Sequence, residues 1–246
     1  MTHDLRWIGI DGARGGWAVA GVDTAGEVSL TLVPRIAEVL NWARRAERVL
    51  IDMPIGLPPD DRPRRCDQLA RQHLKSRASS VFSPPCRAAL EAANHSDASA
   101  ANHAVTGRGL SLQAFHLHPK IREVDSWLRS KPEIQQRVHE AHPEVVFSQL
   151  ALRTSQTLPL PPKRRPEGGA ARRGILEVLM PAALDTLASI AVPRRQAAPD
   201  DWLDALGLAV ALHVSQGEVE FWPNASERDE CGLKMALAVP CVSPAK

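Results

Sequence analysis

The sequence predicts an α/β domain: a mixed five-strand sheet flanked by helices, with a helical insertion after the fourth strand. Three observations predict it. The chain opens with three short apolar runs separated by turn residues, and a helical stretch then leads to a fourth, β-branched run. From Pro58 to about Ala141 the pattern turns helical. Near the C-terminus the run Trp202 to Leu212 (WLDALGLAVAL) is apolar nearly all round, as a helix lying in a core must be.

Each element has its own signal. Residues 5–12 (LRWIGIDG) read as a strand, followed by the Gly-rich turn Ala13-Arg14-Gly15-Gly16. A second strand runs from Trp17 to Val22, and the turn from Asp23 to Glu27 leads to a third, Val28 to Val33. Hairpin-connected runs of this kind form a meander. Ile36, Val39, Leu40 and Ala43 follow helical spacing in the stretch from Ile36 to Arg48. Val49-Leu50-Ile51 then reads as a buried strand that must stop at the following prolines. Within the insertion, Asp67 to Lys75, Arg87 to Val105 and Pro119 to Glu140 read as helices, and Ser76 to Arg87 as a Ser/Pro-rich loop. Val145-Val146-Phe147 predicts the fifth strand. A Pro- and Arg-rich loop (LPLPPKRRPEGGAARR) precedes a helix from Ile175 to Ile190, a second helix spans Asp200 to Gln216, and a further strand is expected near Met235 to Val239. No internal repeat is visible.

Bulk properties narrow the function classes. The 246 residues are long enough for one domain with a sizeable core. At 44% hydrophobic and 24% charged, the chain has a globular composition, which argues against disorder. A formal net charge of +2 declares neither a nucleic-acid nor a membrane partner, so local basic patches would have to meet one. The four cysteines form no C-x-x-C pair, which argues against a zinc ribbon. No apolar run approaches the roughly 20 residues of a membrane span, and the N-terminus lacks an apolar signal core. The expectation is a cytoplasmic, reduced protein with no membrane partner, its oligomeric state left open. Gly12, Gly15 and Gly16 make no dinucleotide fingerprint, and neither a P-loop nor a G-x-S-x-G elbow is present.

The acids carry the chemistry. Asp204 is the one charge inside the apolar helical run, too far from the helix start for a cap to explain it. A lone buried carboxylate costs several kcal/mol, of order, unless paired or metal-bound. Asp201 lies three residues earlier on the same face. Asp11 and Asp52 each end a buried-strand run; taken singly, either could simply open a turn. Glu144 precedes the expected fifth strand, where a solvent-facing acid is the plainer account. If the first and fourth strands are neighbours, Asp11 and Asp52 meet at one sheet end, with the helix from Asp200 laid across them. Carboxylates gathered so closely repel one another unless cations neutralise them, and their hard oxygens suit Mg²⁺ or Mn²⁺.

The strings GIDGARGGWAVA, LIDMPIGLP, SSVFSPPCR, HPEVVF and DDWLDALGLA occur in an order that resembles domain of unknown function 429, a family of predicted nucleases of the RNase H fold. The resemblance runs from about Ile8 to the GLKM segment. More distantly, DDWLDALGLA is similar to the last acidic helix of RuvC-type Holliday junction resolvases. The resemblance implies an RNase H-like sheet and metal-dependent phosphodiester hydrolysis in DNA or RNA. The resemblance matches Asp11, Asp52, Asp201 and Asp204 to the acidic set and gives Glu144 no counterpart; the expected metal ligands are Asp11, Asp52 and Asp204, with Asp201 or Glu144 (a further ligand or a general base) completing the catalytic set. The family usually has a Lys-rich stretch where this chain reads Pro162-Lys163-Arg164-Arg165, followed by Gly168-Gly169 and Arg172-Arg173.

Lys163, Arg164, Arg172 and Arg173, with Arg14 beside the first acid, are the candidate phosphate-binding groups. The plainer account of the loop is a solvated, mobile one. Phe82 reads either as a stacking ring or as packing under its loop. His116, His118, His139 and His142 lack zinc-pair spacing and read mostly as surface residues, with His142 the one to test beside Glu144. Two rival readings remain: a nucleotide-binding ATPase or phosphotransferase on the same core, and a non-catalytic nucleic-acid or protein binding module.

Overall fold

The central strands are apolar on both faces, so the chain must cover both. In the computed structural model, which describes residues 4–154 and 156–242, three antiparallel strands open the fold: β1 (Leu5–Ala13), β2 (Gly16–Asp23) and β3 (Val28–Val33). A short 3-10 turn and α1 (Leu40–Arg45) return the chain to β4 (Arg48–Asp52), parallel to β1. Alternate residues sort to opposite sides, as the strand period of two requires. Ile8, Ile10, Val49 and Ile51 pack on the side of α1, whereas Trp7, Ala18, Ala20 and Leu50 face the C-terminal helices.

Between β4 and the next strand lie α2 (Arg65–Leu74), α3 (Arg87–Leu90), α4 (His95–Thr106) and α5 (Leu112–Ser130). Side-chain caps at Asn94 and Ser111 start α4 and α5. Then come β5 (Val138–Glu140), α6 (Pro143–Ala151), α7 (Pro166–Leu179), α8 (Pro181–Ala188), α9 (Pro199–Val214), β6 (Val219–Arg228) and β7 (Lys234–Pro240). The sheet order is β3-β2-β1-β4-β5-β7-β6. β5 is parallel to β4, and β7 meets β5 in parallel at one pair, Glu140 with Leu237. β6 closes the edge antiparallel to β7.

The structure corrects the sequence reading in several places. Among the described residues the sheet has seven strands, not five. The expected fifth strand, Val145 to Phe147, lies inside α6; Pro143 takes the first turn of that helix, where its missing N–H costs nothing. The actual fifth strand falls within the stretch read as helical to Glu140. The helix expected from Ile175 to Ile190 is two helices, broken at Met180 and Pro181, and the first of them begins nine residues earlier, at Pro166.

α9 is buried along its length from Trp202 to Leu212 and lies across β1. Gly9 makes that approach possible. A Cβ there would stand 2.1 Å from the Ala205 carbonyl oxygen and 2.6 Å from the Ala209 nitrogen. Gly207 in turn seats against the Phe147 ring of α6. Among the described residues, no helix is long and apolar enough to cross a membrane.

Candidate metal centre

Register brings the acids together. Asp11 and Asp52 are paired residues at the C-terminal ends of parallel β1 and β4. The Gly9 contact sets the first turns of α9 over the same strand end and delivers Asp204. One carboxylate oxygen from each of Asp11, Asp52 and Asp204 lies within 4.8 Å of the others. Asp11 and Asp204 are buried, and Asp204 Oδ1 has no hydrogen-bond partner among the described residues. One oxygen of Asp11 accepts from the Gly12 N–H at 2.7 Å, so the local turn contact does form.

Burial and mutual repulsion make this cluster costly when ionised. Burial raises the Asp11 carboxyl well above the usual range, and the neighbouring Asp52 and Asp204 raise it further. Burial also raises Asp52, against the pull of His142 and Lys163. Asp204 is pushed up to about 6, burial outweighing the attraction of Lys163. The Lys163 ammonium is hydrogen-bonded to Asp204 Oδ2. Despite its own burial it is held above the usual lysine range by Asp204, Asp52 and Asp11. A cation of the chain thus already stands among the acids.

The remaining predicted residues divide. Asp201 accepts from the Ala198 N–H at 2.8 Å, so it stabilises the start of α9, and it adds negative potential at Asp11. Glu144 is buried in the first turn of α6. It is gripped by Arg172 at 2.7 Å and Arg77 at 3.2 Å, and it lines the same cleft as Asp11 and Asp52. Arg172 is therefore turned inward: it is 1% exposed and also donates to the carbonyls of Pro161 and Gly168. Arg173 is exposed on α7 and Arg14 is exposed in the β1–β2 turn. Arg164 and Lys163 line a cleft of about 450 Å³ over Asp11 and Asp52, together with Arg77 and His142.

Lys120 also stands near the acids, and the sequence does not mark it. This α5 residue donates to the Gly16 carbonyl, lies 4.3 Å from the centre of the Trp17 ring, and feels Asp11 and Asp201. Nothing in its helical spacing marks it apart from any amphipathic lysine. Two histidines read as surface groups are buried: His118, against Phe115, and His139 on β5, where Arg48 approaches its Nε2 at 3.0 Å. Half-buried His142 keeps Nδ1 without a partner among the described residues. Phe82 packs against the neighbouring apolar clusters.

A family model described as "Protein of unknown function (DUF429)" matches residues 9–228. No curated protein and no solved structure matches the chain.

Proposed function

The chain belongs to the DUF429 family, and on that premise we propose that it is a divalent-cation-dependent nuclease hydrolysing phosphodiester bonds of nucleic acid at Asp11, Asp52 and Asp204. The observation that carries the reading is the meeting of three carboxylate oxygens from distant segments within 4.8 Å, with a buried oxygen on Asp204 that has no hydrogen-bond partner among the described residues. An all-carboxylate donor set fits Mg²⁺ or Mn²⁺, since both prefer hard oxygen ligands. The antiparallel β1–β3 ribbon beside parallel β4 and β5 supports an RNase H-like core.

When bound, such a cation supplies Lewis acidity toward a phosphoryl oxygen and makes water more acidic. The chain's own groups do the rest. Asp11, Asp52 and Asp204 hold the charge in place. Lys163 and Arg164, at the cleft wall, attract the anionic phosphate. Glu144, fixed by Arg77 and Arg172, shapes the cleft wall and acts as a positioning residue. In the reaction the oxygen of a water adds to phosphorus and one P–O ester bond breaks. The products are a terminal phosphate and a free hydroxyl, and one proton of the water ends on the departing oxygen.

The test is cleavage of single-stranded, duplex and branched DNA and RNA with Mn²⁺ or Mg²⁺. Wild type should cleave at least one of them, and the Asp11→Asn protein should be inactive while keeping its Tm. Undiminished cleavage by Asp11→Asn overturns the reading.

A further inference from the structure

A second polar cavity lies at the other end of the same strands. Arg48 begins β4 and Asp52 ends it, which places them about 13 Å apart by strand rise. Because β5 and β7 pair at one position, the sheet parts beside their first residues. There a cavity of about 390 Å³ opens, lined by Arg48, Val138, His139, Phe221, Arg228 and Lys234. That volume falls in the range of small-ligand pockets.

Its charge is one-sided. Arg228 and Lys234 are direct cross-strand partners in the β6–β7 ribbon, and like charges in that relation destabilise a sheet. Arg48 adds a third cation. None of the three has a carboxylate partner among the described residues: Arg48 donates to the Gly217 carbonyl at 2.8 Å, Arg228 donates to the Gly232 carbonyl, and Lys234 sits over the Phe221 ring. Glu140 also borders the cavity, but both its oxygens are taken by Arg64 and the Ile55 N–H. Burial, then Arg228 and Arg48, hold the Lys234 ammonium below its ordinary range. Arg48 is already oriented by Gly217 and by His139 Nε2, which leaves its Nη2 without a partner among the described residues. A fork fixed in this way suits a tetrahedral oxyanion.

We propose that this cavity binds a small phosphate-bearing molecule, its phosphate oxygens taken by Arg48, Arg228 and Lys234. The anion would supply the counter-charge that the fold withholds from these three side chains. The site is separate from the acid cluster and does not depend on the nuclease reading.

Titration calorimetry and thermal unfolding at constant ionic strength test it, with inorganic phosphate, pyrophosphate and ATP as probes and chloride as the control. Pyrophosphate should bind wild type saturably and raise its Tm beyond chloride. The Arg228→Gln/Lys234→Gln double variant should bind about a hundredfold more weakly, as expected for losing two charged hydrogen bonds. Without anion that variant should melt no lower than wild type, because it removes a repulsive pair. Asp11→Asn should keep the pyrophosphate response. ATP tighter than pyrophosphate assigns a nucleotide, and equal affinity assigns the phosphate group alone. A response no larger than that to chloride, one retained by the double variant, or one lost in Asp11→Asn overturns the proposal.

Discussion

Lys163 occupies ground that a divalent cation would need. Its ammonium is bonded to Asp204 and attracted by Asp52 and Asp11, so cation binding and this lysine compete for the same negative charge. The Lys163→Gln protein should therefore bind Mn²⁺ more tightly than wild type in calorimetry. Its cation-free form should lose about 1–3 kcal/mol, because buried Asp204 loses its hydrogen-bonded cation. The Mn²⁺-induced rise in Tm then becomes larger than in wild type, and a smaller rise would show that the lysine helps to assemble the site. At this scale the sequence was most legible for acids. Asp11, Asp52 and Asp204 each break or end an apolar run, which is a visible cost that folding must offset. Cations carry no such mark. Arg172 looked like a loop residue facing solvent, yet it is buried against Glu144; long side chains can turn inward without changing the local pattern.

The placement of α9 against β1 rests on one missing methyl group. In Gly9→Ala the new Cβ would collide with the backbone at Ala205 and Ala209, and backbone atoms cannot rotate aside. The helix must shift, at a cost of about 1–3 kcal/mol or more, and Asp204 shifts with it. The expected result is a Tm several degrees lower and a lost Mn²⁺ response. Gly169→Ala, where a Cβ meets nothing within 4 Å inside helix α7, is the matched control; it should gain about 0.5–1 kcal/mol. An unshifted Tm in Gly9→Ala would show that the contact is slack. Long, strongly patterned elements such as β1, β2 and α9 were readable from the sequence. β5 was not, because Val138-His139-Glu140 is three residues long and two of them are polar. Val145-Val146-Phe147 misled for the opposite reason: a short apolar run does not distinguish strand from helix, and Pro143-Glu144 ahead of it is the helix-start signal. The opening of α7 was hidden by Gly168 and Gly169, although Gly168 is required there, a Cβ standing 2.0 Å from the Pro162 carbonyl.

Across the whole molecule, acid stability should report on His139. Burial, with Arg48 from β4 and Lys234 from β7 adding to it, lowers its pKa to about 3. An unfolded histidine takes its proton near pH 6.5. Between those values the unfolded chain binds more protons, so stability falls as pH drops below 6.5 and is full above it. The loss reaches a few kcal/mol, of order, by pH 4. The Tm of wild type should decline over that window more steeply than that of His139→Gln, and parallel curves would remove His139 as the cause. Strand order was partly legible, since a helical crossover after a meander sets β4 beside β1. β7 matches the strand expected near Met235 to Val239, but its partner β6 (VEFWPNASER) was not legible, because it mixes Pro, Asn and charges and lacks a clean alternation. That edge has a consequence of its own. A ribbon joined to the rest of the sheet through one rung can exchange its amide hydrogens by local opening, without global unfolding. Deuterium should then enter β6 and β7 well before β1 and β4, and the Arg87–Asp229 ion pair, which ties α3 to the β6–β7 turn at 2.5 Å, would set how often that opening occurs.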